Sequence, residues 1–157
     1  MKLTWTTSLL FIVIFNTYGQ KALSHDGKEA IKLEIKQMFE NFHNDIKKNG
    51  LTSEFKYLDD SSDFFWVPPG YKETLDYDTV KKILIDNSKK VNFIEFSWEN
   101  IKIYPLTKNI ANYSGVVKCV QTVTNHDPLT FKLIESGTLI KREDGWKFLN
   151  GQSRNLQ

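Results

Sequence analysis

The sequence predicts a single α+β domain in which a long N-terminal helix packs against a curved antiparallel sheet. Apolar residues recur with helical spacing over residues 31–46, and long strand-like segments fill residues 92–154. A tight turn at Glu143-Asp144-Gly145 joins the last two segments into a hairpin. Because helices come first and antiparallel strands follow, we expect the helices to lie on one face of the sheet, with one or two shorter helices besides the first.

The first nineteen residues have the three parts of a secretory signal. Lys2 supplies a positive charge, Leu9–Phe15 is an unbroken apolar run, and Thr17 and Gly19 are small residues near the expected cleavage point. The run is too short to span a bilayer, which needs about 20 residues. We therefore predict a signal peptide over residues 1–19, an exported protein (periplasmic or secreted), and one mature domain over residues 20–157.

Charge and cysteine content exclude several classes of protein. The full chain has a net charge of +2, and the predicted signal carries one lysine and no acidic residue. A near-neutral domain has no field that attracts nucleic acid or an anionic membrane surface, so neither partner is expected after signal removal. Cys119 is the only cysteine, which rules out an internal disulfide and favours a buried, inert thiol.

The first helix is predicted from its apolar stripe and its end signals. Asp26 and Glu29 resemble a capping box, and Asn49-Gly50 ends the helix. The residues after it, 51–63, favour a short helix or turn. The stripe consists of Ile31, Ile35, Met38, Phe39, Phe42 and Ile46.

A short buried strand, a second helix and four long strands follow. Phe64–Val67 precedes Pro68-Pro69-Gly70, and a helix capped by Asp76 or Asp78 extends to about Lys89. The strands are predicted at 92–104, 110–124, 130–142 and 146–154. In the first of them the apolar parity changes between Trp98 and Ile101, which indicates a β-bulge near Glu99-Asn100.

Strand parity predicts a pocket lined by aromatic rings and a few polar groups. Trp146, Phe148, Asn150 and Gln152 share one face if the last strand is regular, and Phe131 and Glu135 share a face of its neighbour. Such a lining is typical of small-molecule sites. The alternative is that the aromatic residues only fill the interior and Glu135 pairs with a lysine at the rim. The predicted pocket residues are Phe64, Trp66, Trp98, Tyr113, Phe131, Glu135, Trp146, Phe148, Asn150 and Gln152.

Glu135 is the best candidate for acid–base chemistry, because burial would raise its pKa toward neutral pH. His25, His43 and His126 form no close-spaced set of metal ligands, so neither a metal nor a cofactor is predicted. The acidic run at residues 59–63 lacks the ligand spacing of a calcium loop and favours a solvated turn.

The order and spacing of these segments resemble a known superfamily. The segments are the first helix, residues 64–70, the helix near 77–88, and the hairpin over 137–153. Together they resemble the cone-shaped superfamily of nuclear transport factor 2, SnoaL-type polyketide cyclases and ketosteroid isomerase, and above all its small exported SnoaL-like domains of unassigned role. The resemblance implies a sheet curled around the first helix, a pocket inside the cone, and homodimers through the outer sheet face.

Departures from that superfamily favour binding over catalysis. Many relatives have histidines on the last strand where this chain has Asn150 and Gln152, and amides do not exchange protons near neutral pH. The isomerases' combination of an Asp base, a Tyr and a protonated acid does not map onto this sequence. The first hypothesis is a non-catalytic module that binds a small apolar or aromatic ligand, or a partner protein. Alternatives are a cofactor-independent isomerase, dehydratase or cyclase using Glu135, and a structural dimer.

Overall fold

The computed structural model describes residues 22–124 and 126–156, so the predicted signal peptide lies outside the described residues. The chain forms helix α1 (His25–Asn49), a 3₁₀ helix (Leu51–Tyr57), strand β1 (Phe65–Val67) and helix α2 (Tyr77–Ser88). Strands β2 (Val91–Pro105), β3 (Ile110–Val123), β4 (Leu129–Arg142) and β5 (Gly145–Asn155) complete it. The predicted α+β class and order of elements are confirmed.

One curved, unclosed sheet has the strand order β1-β5-β4-β3-β2. Neighbours β2 to β5 pair antiparallel, whereas the short β1 pairs parallel with β5. The sheet is therefore mixed rather than wholly antiparallel, because the three-residue β1 adds to the free edge of β5. Gly145, with φ of 122°, adopts the left-handed backbone that the predicted hairpin turn requires.

Three register shifts interrupt the sheet in the described ranges. One lies at the start of β2, between Val91 and Phe93, and of the other two only the one near Glu99-Asn100 was predicted. The register between β2 and β3 shifts between Trp98 and Asn100, which confirms the bulge expected at that point. The third shift lies in the hairpin, where Thr138 pairs with Asn150 but Leu139 pairs with Phe148. Leu149 is thus an extra residue in β5, and the side chains after it exchange faces.

Helix α1 lies across the inner face of the sheet. Its predicted stripe is buried or half-buried throughout, and Phe39 is only 2 % exposed. The helix begins with Ser24 as its N-cap, which accepts a hydrogen bond from the Gly27 amide at 3.1 Å. The predicted cap, Asp26, lies instead in the first turn, where its charge favours the positive helix end.

Phe39 is the centre of an aromatic cluster that joins helix and sheet. Its ring makes edge-on contacts with Trp98, Tyr113 and Phe148 at centroid distances of 5.2, 5.1 and 5.8 Å. Such pairs contribute about 0.5–1.5 kcal/mol each beyond the area they bury. Because the three partners come from β2, β3 and β5, the cluster sets the curvature of the sheet around α1.

A charged pair anchors the loop before β1 to the hairpin. Asp59 is 3 % exposed, and Arg142 donates to its two carboxylate oxygens at 2.6 and 3.0 Å. Asp59 also donates its backbone N–H to the Phe148 carbonyl at 2.9 Å. The prediction of a solvated turn over 59–63 is therefore wrong for Asp59, because a partner 83 residues away in sequence replaces its water.

We expect the Arg142→Ala substitution to lower the free energy of unfolding by about 2–3 kcal/mol at pH 7. It leaves the buried Asp59 carboxylate unpaired, and the loss falls below the roughly 3–5 kcal/mol of fully buried pairs because the Arg142 side chain is 42 % exposed. Urea denaturation measures the change.

The pH dependence of that loss separates charge from packing. Arg142 holds the pKa of Asp59 below its usual value, so the stabilisation is complete above the unfolded pKa of about 4 and is lost as pH falls through the folded value. The gap between wild type and variant should shrink below pH ~4. Lys89→Ala, which removes the exposed pair with Asp86, is the matched control and should cost less than about 0.5 kcal/mol. A gap that does not change with pH contradicts the electrostatic account.

Candidate functional site

A hydrogen-bonded polar group lies on the inner face of the sheet. Glu135 in β4 accepts a hydrogen bond from the Tyr113 hydroxyl at 2.8 Å and from the Ser153 hydroxyl at 3.0 Å. The three residues come from adjacent strands, and Gly115 lies opposite Glu135 on β3. We call Glu135, Tyr113 and Ser153 the inner polar cluster.

The apolar surrounding of the cluster changes the pKa values of its carboxyl and phenol groups. Burial raises the pKa of Glu135, while the hydrogen bonds from Tyr113 and Ser153 act in the opposite direction. Burial, with the nearby Glu135 charge as a second cause, raises the pKa of Tyr113 well above 10. Tyr113 therefore stays protonated and acts as a hydrogen-bond donor at physiological pH.

A second carboxyl group faces the cluster from the 3₁₀ helix. Burial, with the charge of Glu135 as the second cause, raises the pKa of Glu54 to about 8. The same residue acts on Cys119, whose pKa is raised to about 12 by burial and then by the Glu54 charge. Cys119 is fully buried, as predicted, and is an inert thiol rather than a nucleophile.

His43 and Trp98 form one wall of the same interior. The His43 ring lies 6.0 Å from both Phe96 and Trp98, and burial lowers its pKa to about 4. It is therefore neutral at physiological pH. The indole nitrogen of Trp98 is buried and has no hydrogen-bond partner within the described ranges, which leaves one donor free on this wall.

Most of the predicted pocket residues do lie on the inner side. Trp66, Trp98, Tyr113 and Phe148 are in mutual edge-on contact or joined through Phe39. Phe131 packs at the edge of a second core cluster around Cys119. The other two predicted aromatic residues are also buried: Phe64 packs against Tyr77, and Trp146 donates its indole N–H to Glu34 on α1 at 3.0 Å.

Asn150 and Gln152 lie on the opposite face from Trp146 and Phe148. The prediction that all four share a face assumes a regular strand, and the bulge at Leu149 breaks that regularity. Ser153 points inward instead, as its bond to Glu135 shows. The two amides line a groove on the outer face of the sheet, with a volume of about 370 Å³.

The sequence analysis missed the inward position of Ser153 and Glu54, and it could not predict the protonation state of a third residue, His43. Ser153 would follow from strand parity once the bulge is known. Glu54 lies in a polar stretch whose sequence does not show which way its helical turn faces. His43 sits beside the apolar stripe, and its neutral state depends on rings from a distant strand.

The structure offers few other sites for chemistry within residues 22–124 and 126–156. No three His, Cys, Asp or Glu side chains in these ranges come together to hold a metal ion. A second groove of about 350 Å³ lies where α1 meets β2, and three lysines contribute to its lining. None of the helices in the described part of the chain is both long and apolar enough to cross a membrane.

The Tyr113→Phe substitution should raise the pKa of Glu135 further, because it removes a donor that stabilises the carboxylate. A carbon-detected NMR titration of the Glu135 carboxyl measures the shift. An acid with a higher pKa in the folded chain loses stability as pH rises from its unfolded value, about 4.3, to the folded one. Wild type and variant lose stability equally up to the folded pKa of the wild-type Glu135, so the stability gap should widen only between that value and the higher folded pKa of the variant.

Tyr104→Phe is the matched control, since the Tyr104 side chain is on the surface and 51 % exposed. An unchanged Glu135 pKa in Tyr113→Phe would show that the hydroxyl does not govern the carboxyl.

Comparisons with known proteins show the fold. No protein-family profile matches the chain, and no curated protein matches it in sequence. Solved structures do match.

A protein from Novosphingobium aromaticivorans named as a candidate scytalone dehydratase has a TM-score of 0.75 and 17 % identity over 85 % of this chain and 89 % of its own. A nuclear transport factor 2-like protein from Salmonella enterica has a TM-score of 0.70 and 14 % identity over 82 % and 93 %.

A third match is a type 2 hexachlorocyclohexane dehydrochlorinase, LinA, with a TM-score of 0.67 and 14 % identity over 85 % of this chain and 90 % of that one. These identities are too low to transfer a reaction, but the three structures share one architecture with this chain along nearly their whole length. The chain therefore has the nuclear transport factor 2-like fold, the fold that its sequence resembles.

Proposed function

We propose that the protein is an exported domain that binds a small molecule inside the cone, against Glu135 and Glu54. The observation that carries the proposal is the inner polar cluster, a hydrogen-bonded carboxyl group set among aromatic rings. Buried polar groups cost stability unless they are satisfied, so a fold seldom retains them without a use.

The Glu135 carboxyl group on this inner surface favours a ligand that donates hydrogen bonds, whereas Glu54, with a pKa of about 8, is mostly protonated at neutral pH and can itself donate one. Glu135 receives two donors from the protein, and neither it nor Glu54 forms an ion pair with any residue in the described ranges. A hydroxyl or amine on the ligand would donate a further hydrogen bond to the Glu135 carboxyl group. The rings of Trp98 and Phe131 would contact its apolar body.

Access to this surface supports the same proposal. Glu54 and Glu135 each keep part of their surface exposed, so neither residue is sealed from solvent. The free indole N–H of Trp98 would donate to an acceptor on the ligand. A ligand with an apolar ring, a donor and an acceptor would match the aromatic rings, the carboxyl groups and the indole N–H of this surface.

A second candidate function is proton transfer without a cofactor, in an isomerase, dehydratase or cyclase. Its specific support is Glu54, whose pKa of about 8 suits a group that takes up and releases protons near neutral pH. Two structures with the same fold are named for eliminations, a dehydratase and a dehydrochlorinase. Glu135, held by Tyr113, would act as the partner acid or base.

Native mass spectrometry of the exported protein tests the binding proposal. We expect an adduct of a small organic molecule on a polypeptide that starts at Gln20, because the predicted signal would be removed. Glu135→Gln and Glu54→Gln should each raise the Kd of the adduct at least about tenfold, the effect of losing roughly 1.4 kcal/mol. Glu143→Gln, in the exposed hairpin turn, is the matched control and should retain the adduct.

An adduct that survives both inner substitutions would place the ligand elsewhere and refute the proposed site. An adduct-free protein that also fails to take up small aromatic alcohols and amines at about 10 mM, a concentration that fills sites with Kd near 1 mM, would refute binding itself. A mass that retains residues 1–19 would refute export through a cleaved signal.

Hydrogen exchange into the ligand separates binding from catalysis. A proton-transfer enzyme incubated with its ligand in deuterium oxide would exchange a carbon-bound hydrogen, and the loss of either Glu54 or Glu135 would stop that exchange. A binding protein would return the ligand unlabelled. We expect no label, and labelling that depends on Glu135 would establish the second candidate instead.

A further inference from the structure

The outer face of the sheet carries a row of side chains that ends in an aromatic ring on each side. Register places Phe65, Asn150, Thr138, Asn112 and Tyr104 directly opposite one another across the five strands. The two end rings are 40 % and 51 % exposed. Four strand spacings separate them, which is about 19 Å.

The bulge at Leu149 creates this row. Without the extra residue, Asn150 and Gln152 would face the interior with Phe148. With it, both amides face outward beside β1 and join a groove of about 370 Å³, within the roughly 300–1,000 Å³ of small-molecule sites. The row beside it, through Val67, Gln152 and Ser136, contributes the other side of the groove.

The chemistry of the groove is polar and uncharged. The described residues that line it include amides, hydroxyls and the Phe65 ring, and none of them is Lys, Arg, Asp or Glu. Thr138 donates to the Asn112 side-chain oxygen at 3.1 Å, which orients that amide. The side chains of Asn150, Gln152 and Ser136 form no hydrogen bond to another side chain or backbone group in the described ranges, so their donors and acceptors are open to a ligand.

We propose that this groove binds a neutral carbohydrate chain. Each sugar hydroxyl both donates and accepts, as an amide group does, so a row of amides and hydroxyls matches a row of sugar hydroxyls. The C–H face of a pyranose ring carries partial positive charge and packs on the negative face of an aromatic ring, such as the exposed Phe65 in this groove. Tyr104, at the other end of the row, lines the second groove instead.

Charge complementarity selects this occupant over the others. A nucleic acid or anionic ligand would need cationic side chains in the groove, and an organic cation would need carboxylates. A second copy of this chain is the competing occupant, because the superfamily resemblance implies homodimers through this face. Stable homodimer interfaces are apolar at their centre, whereas the centre of this row is Asn150, Thr138 and Asn112.

The test is an NMR titration of the full mature protein with cellotriose, maltotriose, triacetylchitotriose and mannotriose, all of which are neutral. We expect at least one of them to shift the side-chain amide signals of Asn112, Asn150 and Gln152 at about 10 mM, a concentration that fills a site with Kd near 1 mM. The double variant Asn150→Ala/Gln152→Ala should weaken that sugar at least about tenfold, while Phe65→Ala should weaken it by removing the stacking ring.

Ser97→Ala and Thr130→Ala are matched controls, since both are exposed polar residues of the same sheet outside the groove. They should leave sugar binding unchanged. Because all of these side chains are at least half-exposed or lie on the outer face, the variants should fold, and backbone amide spectra will verify this.

Three results would overturn the proposal. The first is the absence of a shift at all three amides with every sugar. The second is binding that the double variant leaves intact. The third comes from sedimentation velocity: a dimer of the wild type that the same double variant converts to monomer would assign the face to a second copy of this chain.

Discussion

The structure depends on the contact between Phe39 of α1 and the inner face of the sheet. One ring touches side chains from three strands, so the helix can dock only if those strands curve toward it. The sheet can curve because bulges interrupt β2 and β5. This packing encloses the face of the sheet that carries the inner polar cluster. It leaves the opposite face, which carries the groove, to solvent.

Glycines on the inner face make room for the rings that enclose it. A Cβ at Gly115 would lie 3.0 Å from the Trp98 ring, and a Cβ at Gly151 would lie 2.6 Å from Trp66. No real side chain tolerates the second distance, so only glycine lets Trp66 cover β5. The rings therefore form a tight wall around the inner polar cluster, and the low dielectric of that wall raises the pKa values of Glu135 and Glu54.

The two faces of the sheet differ in the kind of recognition they allow. The inner face offers carboxyl groups and a free indole donor within an aromatic surrounding, which suits a small ligand and, if protons move, a reaction. The groove on the outer face offers neutral amides and hydroxyls, which suits a hydroxyl-rich chain. A single extra residue, Leu149, turns Asn150 and Gln152 to the outer face and Ser153 to the inner face.

The sequence by itself determined the helices, the strands, their order and the inward face of β2, β3 and β4. Those features depend on local periodicity and on end signals, which can be recognised within each segment of the sequence. Even the bulge near Glu99-Asn100 could be predicted, because the alternation of apolar residues changes parity across it. The inward direction of the Glu135 side chain was predicted for the same reason, because its strand keeps a regular alternation.

Only the tertiary structure decided the faces of Asn150, Gln152 and Ser153. The residues around Leu149 are Asn, Gly, Gln and Ser, whose weak hydropathy contrast leaves no parity signal for a bulge. The inward turn of Glu54 likewise depends on how the 3₁₀ helix lies over distant strands. Partners far apart in sequence settle such orientations, and no local pattern encodes them.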